Sequence, residues 1–306
     1  MLVLTAVSVA TATGAGLRRT PARAQPPPPT ASATPCVIAA TLRGQALRDR
    51  VHACAASGHT PISYGSVDTR VLEVTEEDPQ NTANVIDIYF NLSMPKVGTP
   101  ERPWEVEHVW PRSYGFDGSP GEDCLVPLSD AHNLFVAHPL ANGPAGHSNH
   151  PYDDCDHECT PMPTGAPPDM QNRRGRDAEG TPVFEVRAGR RGDIARALLY
   201  MDVRYDGGST GGGGLCAPEL RLVDRPAPIG GLGNGIAQYG RLSTILRWAL
   251  QDKVDDGERR RNDVIAQRDK QGNRNPFVDD EGLICRMFPV GPCRPTPAFL
   301  PAVFRP

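Results

Sequence analysis

The stretch Glu105-Val106-Glu107-His108-Val109-Trp110-Pro111 sets a carboxylate beside an imidazole at the end of a strand-like run. Pro111 lacks a backbone N–H and closes that run, so the pattern predicts a strand over 104–110 that stops near the polar pair. Downstream come Asp130-Ala131-His132-Asn133-Leu134 and then Asn142, which adds an amide oxygen to the same segment. Carboxylate and amide oxygens suit a hard cation such as Mg²⁺. A neutral imidazole can take a proton from water near neutral pH. A cation held by those oxygens would neutralise charge on a phosphate and its leaving oxygen. These residue types are the ones that metal-assisted phosphodiester hydrolysis needs. Taken alone, Glu107-His108 also reads as an exposed polar pair. Asn142, directly before Gly143-Pro144, also reads as a helix C-terminal residue, with Asn133 as the other candidate ligand.

The rest of the chain bounds the setting. Its 306 residues, 39% hydrophobic and 22% charged, suffice for one large globular domain. A net charge of −4 excludes a protein that coats nucleic acid by bulk charge, so phosphate contacts must come from local Arg clusters. Lysine occurs only at 96, 253 and 270; all other basic residues are Arg, which favours planar, bidentate phosphate contacts. The same bias also fits a codon preference that enriches Ala, Gly and Pro. The N-terminus has a short apolar stretch and an Ala22-Arg23-Ala24 site, so residues 1–24 read as a secretory signal, although a charged n-region is missing. Residues 25–37 read as a Pro-rich linker, 38–288 as the folded domain, and 289–306 as a Pro-punctuated tail. No later run is apolar enough to span a membrane. Eight cysteines follow the signal, an even count that suggests disulfides in an exported chain; Cys285 and Cys293 are the clearest local pair. The cluster of His147, His150, Cys155, His157 and Cys159 could hold structural Zn²⁺, but its spacing is not that of a zinc finger, and export favours a disulfide.

Periodicity predicts helices over 42–57, 192–205, 239–252 and 255–270. On the second, Ile194, Leu198, Met201 and Tyr205 form the inward face, with Arg196 and Arg204 elsewhere on the cylinder. Residues 85–90 alternate as a strand. Asp130 could cap a helix from 132 to about 142, kinked or ended by Pro139. Residues 143–182 read as loop, and 207–214 as a glycine loop. Arg259-Arg260-Arg261, flanked by acids, reads as a salt-linked helix face.

An ordered series of further pieces accompanies the opening stretch. It comprises Ser57-Gly58-His59-Thr60-Pro61-Ile62-Ser63-Tyr64, Glu77-Asp78-Pro79-Gln80-Asn81 with Asn84-Val85-Ile86, and His132-Asn133-Leu134. Arg191 to Ala197, Glu258 to Asp263 and Gln271 to Phe277 complete it. Over roughly residues 40–290 the chain resembles the bacterial extracellular endonuclease I family of ββα-metal (His-Me finger) nucleases. The resemblance implies an α+β fold, a helix-rich single domain around a ββα-metal core. It also implies His108 as general base, Glu107 as metal ligand, and Asn142, nine positions beyond Asn133, as the second ligand. The implied cofactor is Mg²⁺, with Mn²⁺ or Ca²⁺ as substitutes. The implied protein is a secreted or periplasmic monomer that cleaves DNA, with RNA left open, at phosphodiester bonds of little sequence preference. Two departures concern the phosphate clamp. The family's Arg-Ser-Asn step is His147-Ser148-Asn149 here, behind a small insertion, and the stretch after Glu107-His108 offers only Arg112. Arg112, Arg190, Arg191 and His147 are therefore the candidate substrate contacts. A rival reading is a catalytically weakened relative that binds nucleic acid or metal without turnover.

Overall fold

A computed structural model describes residues 33–96, 103–116, 126–206, 219–225 and 236–294. The expected signal sequence, most of the expected linker, residues 207–214, Cys124, Cys216 and the end of the expected tail lie outside those residues. In chain order the main elements are α1 (Gly44–Ala56), α2 (Glu73–Thr75), β1 (Glu77–Asp78), β2 (Asn81–Ile86), β3 (Ser93–Pro95), β4 (Glu105–His108) and β5 (Leu134–Ala137). Then come α3 (Pro139–Asn142), β6 (His157–Met162), β7 (Asn172–Arg176), β8 (Pro182–Glu185), α4 (Arg191–Arg204), β9 (Glu219–Leu222) and β10 (Ile236–Tyr239). The last are α5 (Leu242–Gln251), α6 (Asp256–Ile265), α7 (Pro276–Asp279) and α8 (Gly282–Met287). Strands β1-β2-β3 and β6-β7-β8 form antiparallel sheets, β4 pairs antiparallel with β5, and β9 runs parallel to β10. The architecture is α+β.

Helix α4 is the axis of the core. Every residue from Gly192 to Arg204 is buried, and the helix packs against α1, α5 and β9. The sequence pattern leaves Arg196 and Arg204 off the apolar face, yet both are buried. A helix enclosed on all sides can carry charge only where partners meet it. Arg196 Nε donates to Glu258 at 2.7 Å, and Asp202 accepts from Arg48 at 2.8 Å. Gly192 carries no side chain because a Cβ there would fall 2.2 Å from the Asp252 carbonyl oxygen.

Several sequence expectations are corrected. The 132–142 region is not a helix: Leu134–Ala137 is a strand, buried throughout and paired with β4. A short apolar run fits strand or buried helix equally well, and pairing decides it. Pro139 does not end a helix; it opens α3 as its first residue, with His138 Nδ1 capping Leu140 N at 3.1 Å. The strand expected over 85–90 stops at Ile86, because the Asp87 carboxylate accepts from the backbone N–H groups of Tyr89, Phe90 and Leu92 and folds a turn. The 143–182 segment contains β6 and β7, hidden from periodicity by prolines and exposed polar residues. Helix α5 starts at Leu242, after a strand, and α6 ends at Ile265. Cys155 is bonded to Cys159, which removes the zinc alternative, and Cys36–Cys54 and Cys285–Cys293 are also bonded.

A buried polar knot ties the N-terminal, central and C-terminal segments together. Asp130 Oδ2 accepts from Tyr200 and Tyr205, and its Oδ1 from Gln271 Nε2 and the His132 N–H. His59 and His132 sit beside it, and burial pushes their pKa values down from 6.5 to about 4 and about 3, against the pull of Asp130. Both are neutral in the folded protein and protonate when the chain unfolds. Such depressed histidines leave stability intact above the unfolded value and withdraw it as pH falls toward the folded values, at about 1.4 kcal/mol per pH unit per residue. Between pH 7 and pH 5 the pair should therefore cost about 2 to 4 kcal/mol, by the same linkage. Urea denaturation at the two pH values checks this, and an unchanged midpoint would show that the pair does not stay neutral in the fold.

Candidate active site

Strands β4 and β5 build the site. Glu107 lies opposite Phe135 and His108 opposite Leu134, so both stand at the end of a two-stranded ladder. The ladder is locked beyond its end by Asn133, whose Oδ1 accepts from Trp110 N at 2.7 Å and whose Nδ2 donates to Trp110 O at 3.2 Å. That pairing gives Asn133 a structural task.

Glu107 is 2% exposed. Its Oε1 accepts from the Tyr89 hydroxyl and from His147 Nδ1, each at 2.6 Å, and more distantly from Tyr152 at 3.4 Å. All three contacts fall on the same oxygen, and among the described residues none reaches Oε2. The His147 ring stacks on Tyr152 with centroids 4.2 Å apart. Its Nε2 meets the Tyr239 hydroxyl at 3.2 Å, and that hydroxyl gives its own proton to the His150 carbonyl at 2.8 Å. His147 thus bridges the Glu107 carboxylate on one ring nitrogen and the Tyr239 hydroxyl on the other. Burial raises the hydroxyl pKa values of Tyr89 and Tyr152, and the Glu107 charge raises them further, so both remain donors.

His108 is the last residue of β4, and its partners differ from those of Glu107. Its Nε2 is 2.8 Å from the Leu128 carbonyl, which can only accept. The ring proton therefore sits on Nε2, and Nδ1 keeps its lone pair. Burial pushes the pKa down to about 4, the Leu128 contact opposes this, and Arg112 depresses it further. The rings of Tyr64 and Phe116 pack 5.5 and 6.1 Å away. Asn142 closes α3, and its Nδ2 donates to Glu105 Oε2 at 2.8 Å. Glu105 and Glu107 are two residues apart and share one face of β4, so Asn142 belongs to the Glu107 side, and among the described residues its amide oxygen meets no protein donor.

The profile of the Endonuclease I family matches residues 50–281. The chain belongs to the endonuclease I family. Two relatives named extracellular ribonuclease, from Bacillus amyloliquefaciens and Bacillus subtilis (strain 168), are each 38% identical to it. The first match covers 77% of this chain and 71% of the relative, the second 77% and 72%. The protein is thus a nuclease, a hydrolase of nucleic acids.

The remaining sequence candidates in this nuclease are spread apart. Arg112 is exposed, and its charge reaches His108. Arg190 donates to Asp193 at 2.7 Å, and that carboxylate raises its pKa. Arg191 pairs with Glu185 and lies over the Trp248 ring at 5.1 Å. His147 is fully buried behind Glu107 rather than on a substrate-facing surface. No sequence motif marks Tyr89, Tyr152, Tyr239 or the Leu128 carbonyl as part of the site. A tyrosine in an otherwise apolar run, as at Tyr89, was the single available signal; the others are brought in by tertiary packing.

The donor set can be tested against a metal. Among the described residues no three His, Cys, Asp or Glu side chains converge as a cage. Glu107 Oε2 and Asn142 Oδ1 are oxygens only. Such a sparse, hard donor set fits Mg²⁺, which keeps several waters and binds through one or two protein groups plus substrate phosphate.

Proposed function

We propose that this chain is a secreted, Mg²⁺-dependent endonuclease of low sequence preference, acting as a monomer on DNA and on RNA. The observation that carries the reading is the His108 tautomer. With Nε2–H given to Leu128, Nδ1 can accept a proton from water, and the depressed pKa keeps it unprotonated at neutral pH. Glu107 and Asn142 would hold Mg²⁺, for which Mn²⁺ or Ca²⁺ can substitute. When bound, the ion supplies charge neutralisation at the phosphate and the departing oxygen. Tyr89 and His147 fix the Glu107 carboxylate so that one oxygen stays turned from its protein partners. Arg112 stands beside His108 as the contact for a phosphate oxygen. Attack by the water opposite the 3′ oxygen breaks the P–O3′ bond and leaves 5′-phosphate and 3′-hydroxyl ends. RNA enters the proposal because both relatives are named ribonucleases. Bonded cysteines fit export to an oxidising compartment.

One assay tests this. Plasmid DNA and RNA are incubated with the purified protein in Mg²⁺, Mn²⁺, Ca²⁺ or Zn²⁺, with and without EDTA. Mg²⁺-supported cleavage of both, abolished by EDTA, is expected. Binding without cleavage in any metal would instead favour the weakened-relative reading, which the His147-Ser148-Asn149 departure motivates.

A further inference from the structure

The sheet β6-β7-β8 carries a cationic cleft that the catalytic reading does not use. The cleft has a volume of about 360 Å³ and is lined by His150, Glu158, Thr160, Met162, Arg174 and Arg176 among others. Arg174 and Arg176 are two apart on β7 and share a face, and Thr160 is the register partner of Arg174 on β6. Arg174 Nη1 donates to the Pro144 carbonyl at 2.7 Å, and Nη2 donates to His150 Nε2 at 3.1 Å. Both acceptors are uncharged, and among the described residues no carboxylate pairs with Arg174. That sets it apart from Arg173, Arg190 and Arg191, each of which meets a carboxylate. By occupying His150 Nε2, Arg174 leaves the ring proton on Nδ1 as a further donor. Arg176 pairs with Glu158 at 3.2 Å, with both side chains largely in solvent, a contact that is weak and readily exchanged.

The cleft is joined to the candidate active site by one loop. That loop begins at Asn142, passes through His147 against Glu107, and ends at His150, and Arg174 grips it at Pro144 and His150. The sheet beneath is held close: a Cβ at Gly175 would fall 2.5 Å from Cys155 Sγ, and Cys155 is bonded to Cys159 within β6. A pair of arginines on this sheet, beginning where the Asn142–His150 loop ends, is suited to the repeating anions of a polynucleotide.

We propose that Arg174, Arg176 and His150 form a phosphate-binding subsite that holds the nucleic-acid backbone at phosphates away from the one being cleaved. The inference rests on the nuclease reading and adds where a long substrate is gripped. The subsite reads backbone charge and no base edges, in keeping with low sequence preference.

The test uses the full protein and Arg174→Gln, Arg176→Gln and Arg174→Lys variants. Binding of a fluorescent oligonucleotide is followed by anisotropy in EDTA over a salt series, and cleavage is compared between a long polynucleotide and a dinucleotide. Each Gln variant should lower the salt slope by about one unit. It should reduce kcat/KM on the long substrate by more than on the dinucleotide, and Arg176→Gln, whose side chain lies off the loop that carries Asn142 and His147, should show that difference most cleanly. Arg174→Lys, which keeps the charge but loses the fork, should retain the slope. Arg176→Gln guards against a folding defect, because its side chain is 47% exposed. Unchanged slopes in both Gln variants would overturn the subsite, as would equal losses on both substrates in Arg176→Gln. Wild-type protein that binds the oligonucleotide but cleaves neither substrate would overturn the nuclease reading instead, with the slopes still deciding the subsite.

Discussion

His108→Ala is expected to slow phosphodiester cleavage by about 10² to 10⁴, the usual contribution of a general base. The melting temperature should change little by comparison, and binding of the oligonucleotide in EDTA should stay near the wild-type value. The reasoning is local. His108 gives one proton to the Leu128 carbonyl, and among the described residues its other contacts are the rings of Tyr64 and Phe116. Removing the ring therefore deletes one hydrogen bond and some packing, about 1 to 3 kcal/mol of stability, without exposing a buried charge. His108→Gln is the informative companion. Its amide can donate to Leu128 but cannot take a proton, so it should keep the fold and lose the rate. Cleavage by either variant within a few-fold of wild type would remove His108 from the reaction.

The sequence reads unevenly. The strand around Glu107 and helices α1 and α4 are legible because each has a local cause, a pattern of apolar residues bounded by a breaker, although the strand stops at His108, short of the Trp110 end that Pro111 predicts. The pair Cys285–Cys293 is legible because so few residues separate them. What failed was decided by tertiary contact. Leu134–Ala137 has no period that distinguishes strand from helix, and becomes a strand because β4 lies beside it. Asp87 breaks its strand by accepting backbone N–H groups, a choice that a β-branched pattern cannot announce. At the site, Glu107 and His108 were visible as neighbours, but their separate sets of partners follow from tertiary packing. The aromatic hydroxyls around Glu107 come from Tyr89 and Tyr152, far apart in the chain, and no motif links them. His147 reads as a surface contact in sequence because a polar residue in a Gly- and Ser-containing loop is usually exposed. Here it is buried because a carboxylate receives it.

Substitution of the Glu107 carboxylate should have the second large effect, and on a different quantity. Glu107→Gln keeps the shape and loses the charge, so the Mg²⁺ concentration for half-maximal rate should rise by at least tenfold. Asn142→Ala should raise it too, in line with a site that binds its ion through few protein groups. The partners of Glu107 separate this from simple misfolding. Tyr89→Phe removes one donor to Oε1 and leaves the carboxylate in place. Loss of such an orienting contact typically weakens metal affinity or activity about 10- to 100-fold. If the carboxylate binds the ion, Tyr89→Phe should need more Mg²⁺ and recover most of its rate at saturating metal. If Glu107 serves only to anchor the buried His147 ring, Glu107→Gln should lower the melting temperature and leave the metal dependence of the surviving activity unchanged. Calorimetric Mg²⁺ titration alongside thermal melts distinguishes the outcomes. An unchanged half-maximal Mg²⁺ concentration in both Glu107→Gln and Asn142→Ala would place the ion elsewhere on the protein.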